Sequence, residues 1–136
     1  MRKPLIFILM ALTLAACAGG SQMQRERQQA MDLWREMVRW NEHDALVDMI
    51  HPDWLAEHPV RSVDLERLRQ FRVTEYRPRQ INSTADSTQV ERIAQIRMYH
   101  VHSARERVIQ HREVWRWDET RGRWLLHSGL PDPSRN

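Results

Sequence analysis

Cysteine is almost missing from this sequence: Cys17 stands alone, so the chain cannot close a disulfide within itself and its folded part must be stable from its core. Lysine is equally scarce. Lys3 is the sole one, next to Arg2, and every later basic side chain is arginine. No block or stripe of one charge forms, because the arginines are interspersed with glutamate and aspartate; that pattern argues against a nucleic-acid surface. No apolar run approaches the roughly 20 residues that a spanning helix requires. With only 4 glycines and 6 prolines, no low-complexity tract or internal linker divides the chain, and no repeat is visible. Two ordinary domains are thereby excluded, and the length suits a single core of about 120 residues.

What is present begins with a signal. Arg2 and Lys3 are followed by an apolar stretch over residues 5–14 and by small residues before Cys17, the layout of a secretory signal peptide. Leu14, Ala15, Ala16 and Cys17 resemble the bacterial lipobox. That resemblance implies a signal peptide over residues 1–16, removal of that peptide, and acylation of Cys17 with palmitate-type chains. Lipidation would also account for an otherwise stray thiol in an exported protein. Two or more acyl chains anchor stably where one binds only marginally. Ala18, rather than aspartate, follows the cysteine, which in proteins of this kind implies the periplasmic face of the outer membrane, with inner-membrane retention as the alternative. Residues 17–22 then form the lipidated cysteine and a small, polar linker. Removing Arg2 and Lys3 lowers the basic residues from 21 to 19 against 18 acidic ones, so the mature chain is nearly neutral and its partner through the anchor is the membrane.

Residues 23–136 read as one domain, helices first. Ala30, Leu33, Trp34, Met37 and Val38 recur at helical spacing and predict a long amphipathic helix over residues 23–40. Asn41 is a candidate N-cap for a second helix bearing Leu46, Met49 and Ile50, which Pro52 should end. Trp54, between Pro52 and Pro59, falls in a loop, where it could cover the domain's mouth or touch lipid headgroups. Val63, Leu65 and Leu68 suggest a third helix begun by Ser62 or Asp64. Strand character follows over residues 71–81, with Pro78 indicating an edge or a bend. A polar turn leads to long strands over residues 89–102 and 107–117. A hairpin turn at Gly122 then leads to a last strand over residues 124–128. This order predicts an α+β fold with helices packed on one face of a bent antiparallel sheet.

The segment WNEHDALVDMIHPDW, with Asp44 opening a short helix, and the closing hairpin VWRWDETRGRWLLHSG are together similar to the nuclear transport factor two-like superfamily, which includes ketosteroid isomerases and polyketide cyclases. The resemblance covers residues 24–130 and implies a cone of bent sheet around helices. Residues 71–87 are short for that sheet, which implies a missing edge strand and a more open cone. No catalytic motif of the superfamily carries over residue by residue.

Parity identifies the inward face. With a turn centred on Ala104 and Arg105, Met98 pairs with His111 and Ile96 with Glu113, so Ala94, Ile96, Met98, His100, Ile109, His111, Glu113, Trp115 and Trp117 share one face. In the last hairpin Trp117 faces Trp124, Trp115 faces Leu126 and Glu113 faces Ser128. The candidate ligand-binding set is therefore Met98, His100, His111, Glu113, Trp115, Trp117, Trp124 and Ser128. Within it His111 and Glu113 are the acid–base candidates, because an imidazole beside a carboxylate in apolar surroundings can have both groups shifted. The competing reading makes the pair a satisfied buried polar patch. His100, His102 and His111 do not converge on one point, so no metal and no cofactor is expected. His43, His51, His58 and His127 are read as loop or solvent-facing residues.

Three functions compete. The first is a tethered module that binds a small apolar ligand or an envelope protein, with a homodimer contact left open. The second is an isomerase, cyclase or hydratase using His111 and Glu113. The third is a scaffold subunit similar to the small lipoprotein of the outer-membrane β-barrel assembly machinery.

Overall fold

The computed structural model describes residues 3–135, with side chains from Gln22 onward. The lipidation of Cys17 and the cleavage before it rest on side chains outside the described residues. Helix α1 spans Lys3–Trp40. In its C-terminal half Met31, Trp34, Met37 and Val38 are buried, a stripe at steps of three and four that faces the sheet. Leu33, expected on that stripe, is 54% exposed, since each residue turns by about 100° and position 33 lies on the flank.

Asn41 stops α1 rather than starting the next helix. Its φ is 60°, its N–H donates to the Val38 carbonyl at 3.3 Å, and the Glu42 N–H donates to the Met37 carbonyl at 2.9 Å. This is the Schellman pattern, with asparagine tolerated in the left-handed region. The expected second helix is cut short, and an unexpected one follows it. Helix α2 spans His43–Val47, after which Ile50 makes a parallel bridge to Leu126. Helix α3 spans Pro52–Glu57, where a loop was expected around Trp54. Pro52 takes the first turn, where its missing N–H is no loss, and the His51 imidazole accepts the Asp53 N–H at 3.1 Å as a cap. Helix α4 spans Ser62–Arg69, as its apolar spacing predicted.

Four antiparallel strands follow in the order β1-β2-β3-β4: Phe71–Ser83, Gln89–His100, Glu106–Asp118 and Arg123–Leu126. The edge strand β1 is not short; it runs beside β2 from Phe71 opposite His100 to Ser83 opposite Val90. Register shifts at Val73/Glu75 and Pro78/Gln80 bend it and leave Pro78 on the outer strand, where no N–H is needed. Helices before a bent sheet, with α1 across its inner face, make an α+β, cone-like architecture.

The central hairpin corrects the predicted register. Tyr99 pairs with Glu106, and residues 101–105 form a wider turn in which the Ala104 N–H donates to the His100 carbonyl at 2.8 Å. Met98 therefore lies opposite Arg107, His111 opposite Ala94 and Glu113 opposite Arg92. The shift is an even number of residues, so each side chain keeps its predicted face. In the last hairpin Trp117 pairs with Trp124 and Trp115 with Leu126, as predicted. The pairing stops earlier than expected: the His127 N–H donates to the Val114 carbonyl at 2.7 Å, and the Val114 N–H then meets the Ser128 hydroxyl, not its backbone, at 3.2 Å. The chain leaves the sheet there, and Pro131 and Pro133 are buried in the tail. Among the described residues no helix is long and apolar enough to cross a membrane.

Candidate functional site

The inward face of β3 carries Ile109, His111, Glu113 and Trp115, all buried. Glu113 is 0% exposed. Its Oε1 accepts the Tyr76 hydroxyl; its Oε2 accepts the Arg92 Nε at 2.8 Å and the Trp115 indole N–H at 3.0 Å. Arg92 Nη2 lies 2.7 Å from the same oxygen and donates to the Met31 carbonyl of α1 at 3.2 Å. The Arg92 guanidinium also sits over the Tyr76 ring at 5.4 Å, an attractive cation–π arrangement. Burial, and then the neighbouring Glu113 carboxylate, push the Tyr76 phenol far up from its ordinary value. This is a closed network of charge-assisted hydrogen bonds linking α1, β1, β2 and β3. Glu113 is engaged by Tyr76, Arg92 and Trp115, and His111 is not among its hydrogen-bond partners.

His111 stands apart from that network. Its ring stacks on Trp34, with centroids 6.1 Å apart and planes 13° from parallel; Trp34 in turn meets Trp115 edge-on at 5.9 Å. Its Nε2 is buried without a hydrogen-bond partner. Burial holds the His111 pKa below the usual imidazole value; Glu113 opposes that shift, and Arg92 and Arg135 reinforce it. The neutral ring thus suits its place against Trp34.

Beside His111 a groove of about 510 Å³ opens to solvent. Gln110, His111 and Arg112 of β3 line one side, Trp54, His58 and Pro59 another, and the tail around Leu130 and Asp132 a third. Trp54 and His58 stack face to face, with centroids 4.0 Å apart. The helix that positions Trp54 is the one that the flanking prolines concealed in the sequence.

The other predicted site residues are dispersed. Met98 is 1% exposed, and the space it borders with Phe71 and Leu46 amounts to about 10 Å³, at most one water. Trp115 is packed in the core against α1. Trp117 and Trp124 meet at 6.0 Å, and the Trp124 indole N–H donates to the Met23 carbonyl at 3.0 Å. His100 meets Phe71 edge-on at 5.2 Å, and its Nδ1 accepts the His102 N–H at 3.3 Å. Ser128 is committed to the Val114 N–H. Among the described residues no group of three His, Cys, Asp or Glu side chains is arranged to hold a metal.

Two histidines read as solvent-facing are buried. His51 is 8% exposed; its Nε2 lies 2.9 Å from Asp118 Oδ2, and its ring stacks on His127 at 4.4 Å. Both ring nitrogens of His51 are thus engaged, Nδ1 by the Asp53 N–H and Nε2 by the Asp118 carboxylate. His43 is 7% exposed, and both its ring nitrogens lack partners. It lines a second hollow of about 540 Å³ with Trp40, Arg69 and Arg72, where Arg69 is held by Asp44 at 2.9 Å. Arg92 and Tyr76 were missed as well. Arg92 shares the parity of Ala94, Ile96 and Met98, so its inward direction was available; Tyr76 was hidden by the two bulges in β1.

Compared with protein-family models, with curated proteins and with solved structures, the chain finds no significant match.

Proposed function

We propose that this is a lipoprotein tethered through Cys17 to the periplasmic face of the outer membrane, whose cone-like domain binds a partner in the groove over His111 and does not transform it. One observation carries the reading. The acid–base candidate Glu113 is wholly enclosed and held by Tyr76, Arg92 and Trp115, whereas the roomy, mixed polar and apolar groove lies outside that network. A volume near 510 Å³ falls within the range of about 300–1,000 Å³ typical of ligand pockets, and a lining that mixes polar and apolar side chains suits an amphipathic partner. A general base needs hydrogen-bond reach to a reactant proton; the oxygens of Glu113 point at protein donors instead.

Native mass spectrometry of the protein extracted from membranes in detergent tests this. The expected result is reproducible extra mass that Trp54→Ala removes and Glu113→Gln leaves in place. Extra mass that survives Trp54→Ala and disappears in Glu113→Gln, with circular dichroism showing that variant folded, would move the site into the cone and restore the isomerase or cyclase reading. A bare mass throughout would remove the retained-ligand form of the proposal.

A further inference from the structure

The groove contains an unfinished sheet edge. Strand β4 covers β3 only from Trp115 to Asp118, and the last contact between them is at Val114. In an antiparallel ladder the backbone groups of successive residues point alternately to the two neighbours. The Trp117 N–H donates to the Thr88 carbonyl on the β2 side, and Val114 faces the β4 side. With no register shift along β3, Val108, Gln110 and Arg112 also direct their N–H and C=O groups outward. Among the described residues no hydrogen bond reaches those groups. The tail does not complete the sheet: it is fixed by a side chain, Arg107 Nη1 donating to the Pro133 carbonyl at 2.6 Å, and its prolines have no N–H to offer.

Exposed edges are normally paired, covered or charged, because they template association with another strand. Here the edge is recessed: Gln110 and Arg112 lie in the groove, with the Trp54–His58 stack and Pro59 on one side and the tail on the other. We infer that the groove accepts an extended polypeptide segment of a partner protein, which adds as a strand beside β3 in line with the short β4. The inference rests on the binding reading above and specifies the partner's chemistry. Residues 108–112 provide about 17 Å of strand, enough for main-chain pairing with pockets for alternate side chains. A second copy of the chain fits less well, since its own edge is walled in the same way. Arg112 is already held by both oxygens of Glu91, and Arg67 and Arg135 balance Asp64 and Asp132 around the groove, so main-chain pairing rather than charge selects the segment.

The test is to pan a random-sequence twelve-residue peptide library against the full-length protein in detergent, then measure amide hydrogen exchange with the best peptide bound. Enriched peptides should slow exchange at Val108, Gln110 and Arg112 at least ten-fold. Gln110→Pro removes an outward N–H and no hydrogen bond of the existing sheet, and should weaken binding at least ten-fold, whereas Gln110→Ala should stay within two-fold. Exchange on the unaltered protein decides the matter even if the proline variant fails to fold. The inference is overturned if no peptide is enriched, if protection appears elsewhere, or if the three amides are already protected without peptide in a concentration-dependent dimer. Bound small-molecule mass together with an empty peptide screen would overturn strand addition and leave the binding reading standing.

Discussion

Glu113 and Arg92 together tie three strands and a helix to one another. Arg92 and Glu113 are 2% and 0% exposed, so removing either leaves the other charge buried without its partner, a loss of about 3–5 kcal/mol in comparable pairs. Glu113→Ala should therefore lower the urea midpoint strongly with the slope unchanged. Arg92→Met combined with Glu113→Leu should recover part of the loss, because the unpaired buried charge is gone, while the Tyr76 hydroxyl and the Trp115 N–H stay without their acceptor. A catalytic pair would behave differently, with activity lost and stability kept or raised. The histidines add a pH dependence. Burial lowers the pKa of His43, with Arg69 and Arg72 acting in the same direction; burial lowers that of His111; and burial, with His51 and Arg116 nearby, takes His127 to about 4. Each binds its proton more readily in the unfolded chain, so stability is complete above the ordinary imidazole value of about 6.5 and falls as the pH drops through the folded values. Thermal unfolding followed from about pH 7.5 down to pH 4.5 should show a falling midpoint, and His127→Gln should make the slope shallower.

Between helices and strands, the junction at Asn41 is the most exacting. It holds φ at 60°, and its side-chain oxygen accepts the Val73 N–H at 3.3 Å, so one residue ends α1 and ties it to β1. Asn41→Ala should cost about 1–2 kcal/mol in chemical denaturation through the left-handed backbone alone, and Asn41→Gly should cost less because only the hydrogen bond is lost. The same junction explains what the sequence could reveal. Helix periodicity, strand order and facing were legible, since apolar alternation is a local property and survives an even slip of register. The wide turn at residues 101–105 was not, because only Ala104 takes a positive φ there and alanine gives no signal of it. That slip hid the partnership of Glu113 with Arg92. The groove was illegible for another reason: it is made by α3 and the tail, a helix between two prolines and a segment without periodicity.

For the molecule as a whole, the proposed function makes the membrane a partner through an acylated Cys17, and that part of the proposal can be tested by itself. An unlipidated domain with no net basic surface has little to hold it to anionic lipid, where each nearby basic residue contributes only about 1 kcal/mol. Two or more acyl chains hold stably. Cys17→Ser in the full-length chain should therefore abolish incorporation of labelled palmitate and remove the protein from the outer-membrane fraction. The variant's domain should keep the same thermal midpoint, since its buried core is built from residues 31–126. Unchanged recovery with the outer membrane, without the acyl label, would shift the anchoring to the domain's own surface. Exposed Trp40 at the end of α1, 70% accessible, would then be the first side chain to replace, because an amphipathic indole favours the headgroup region.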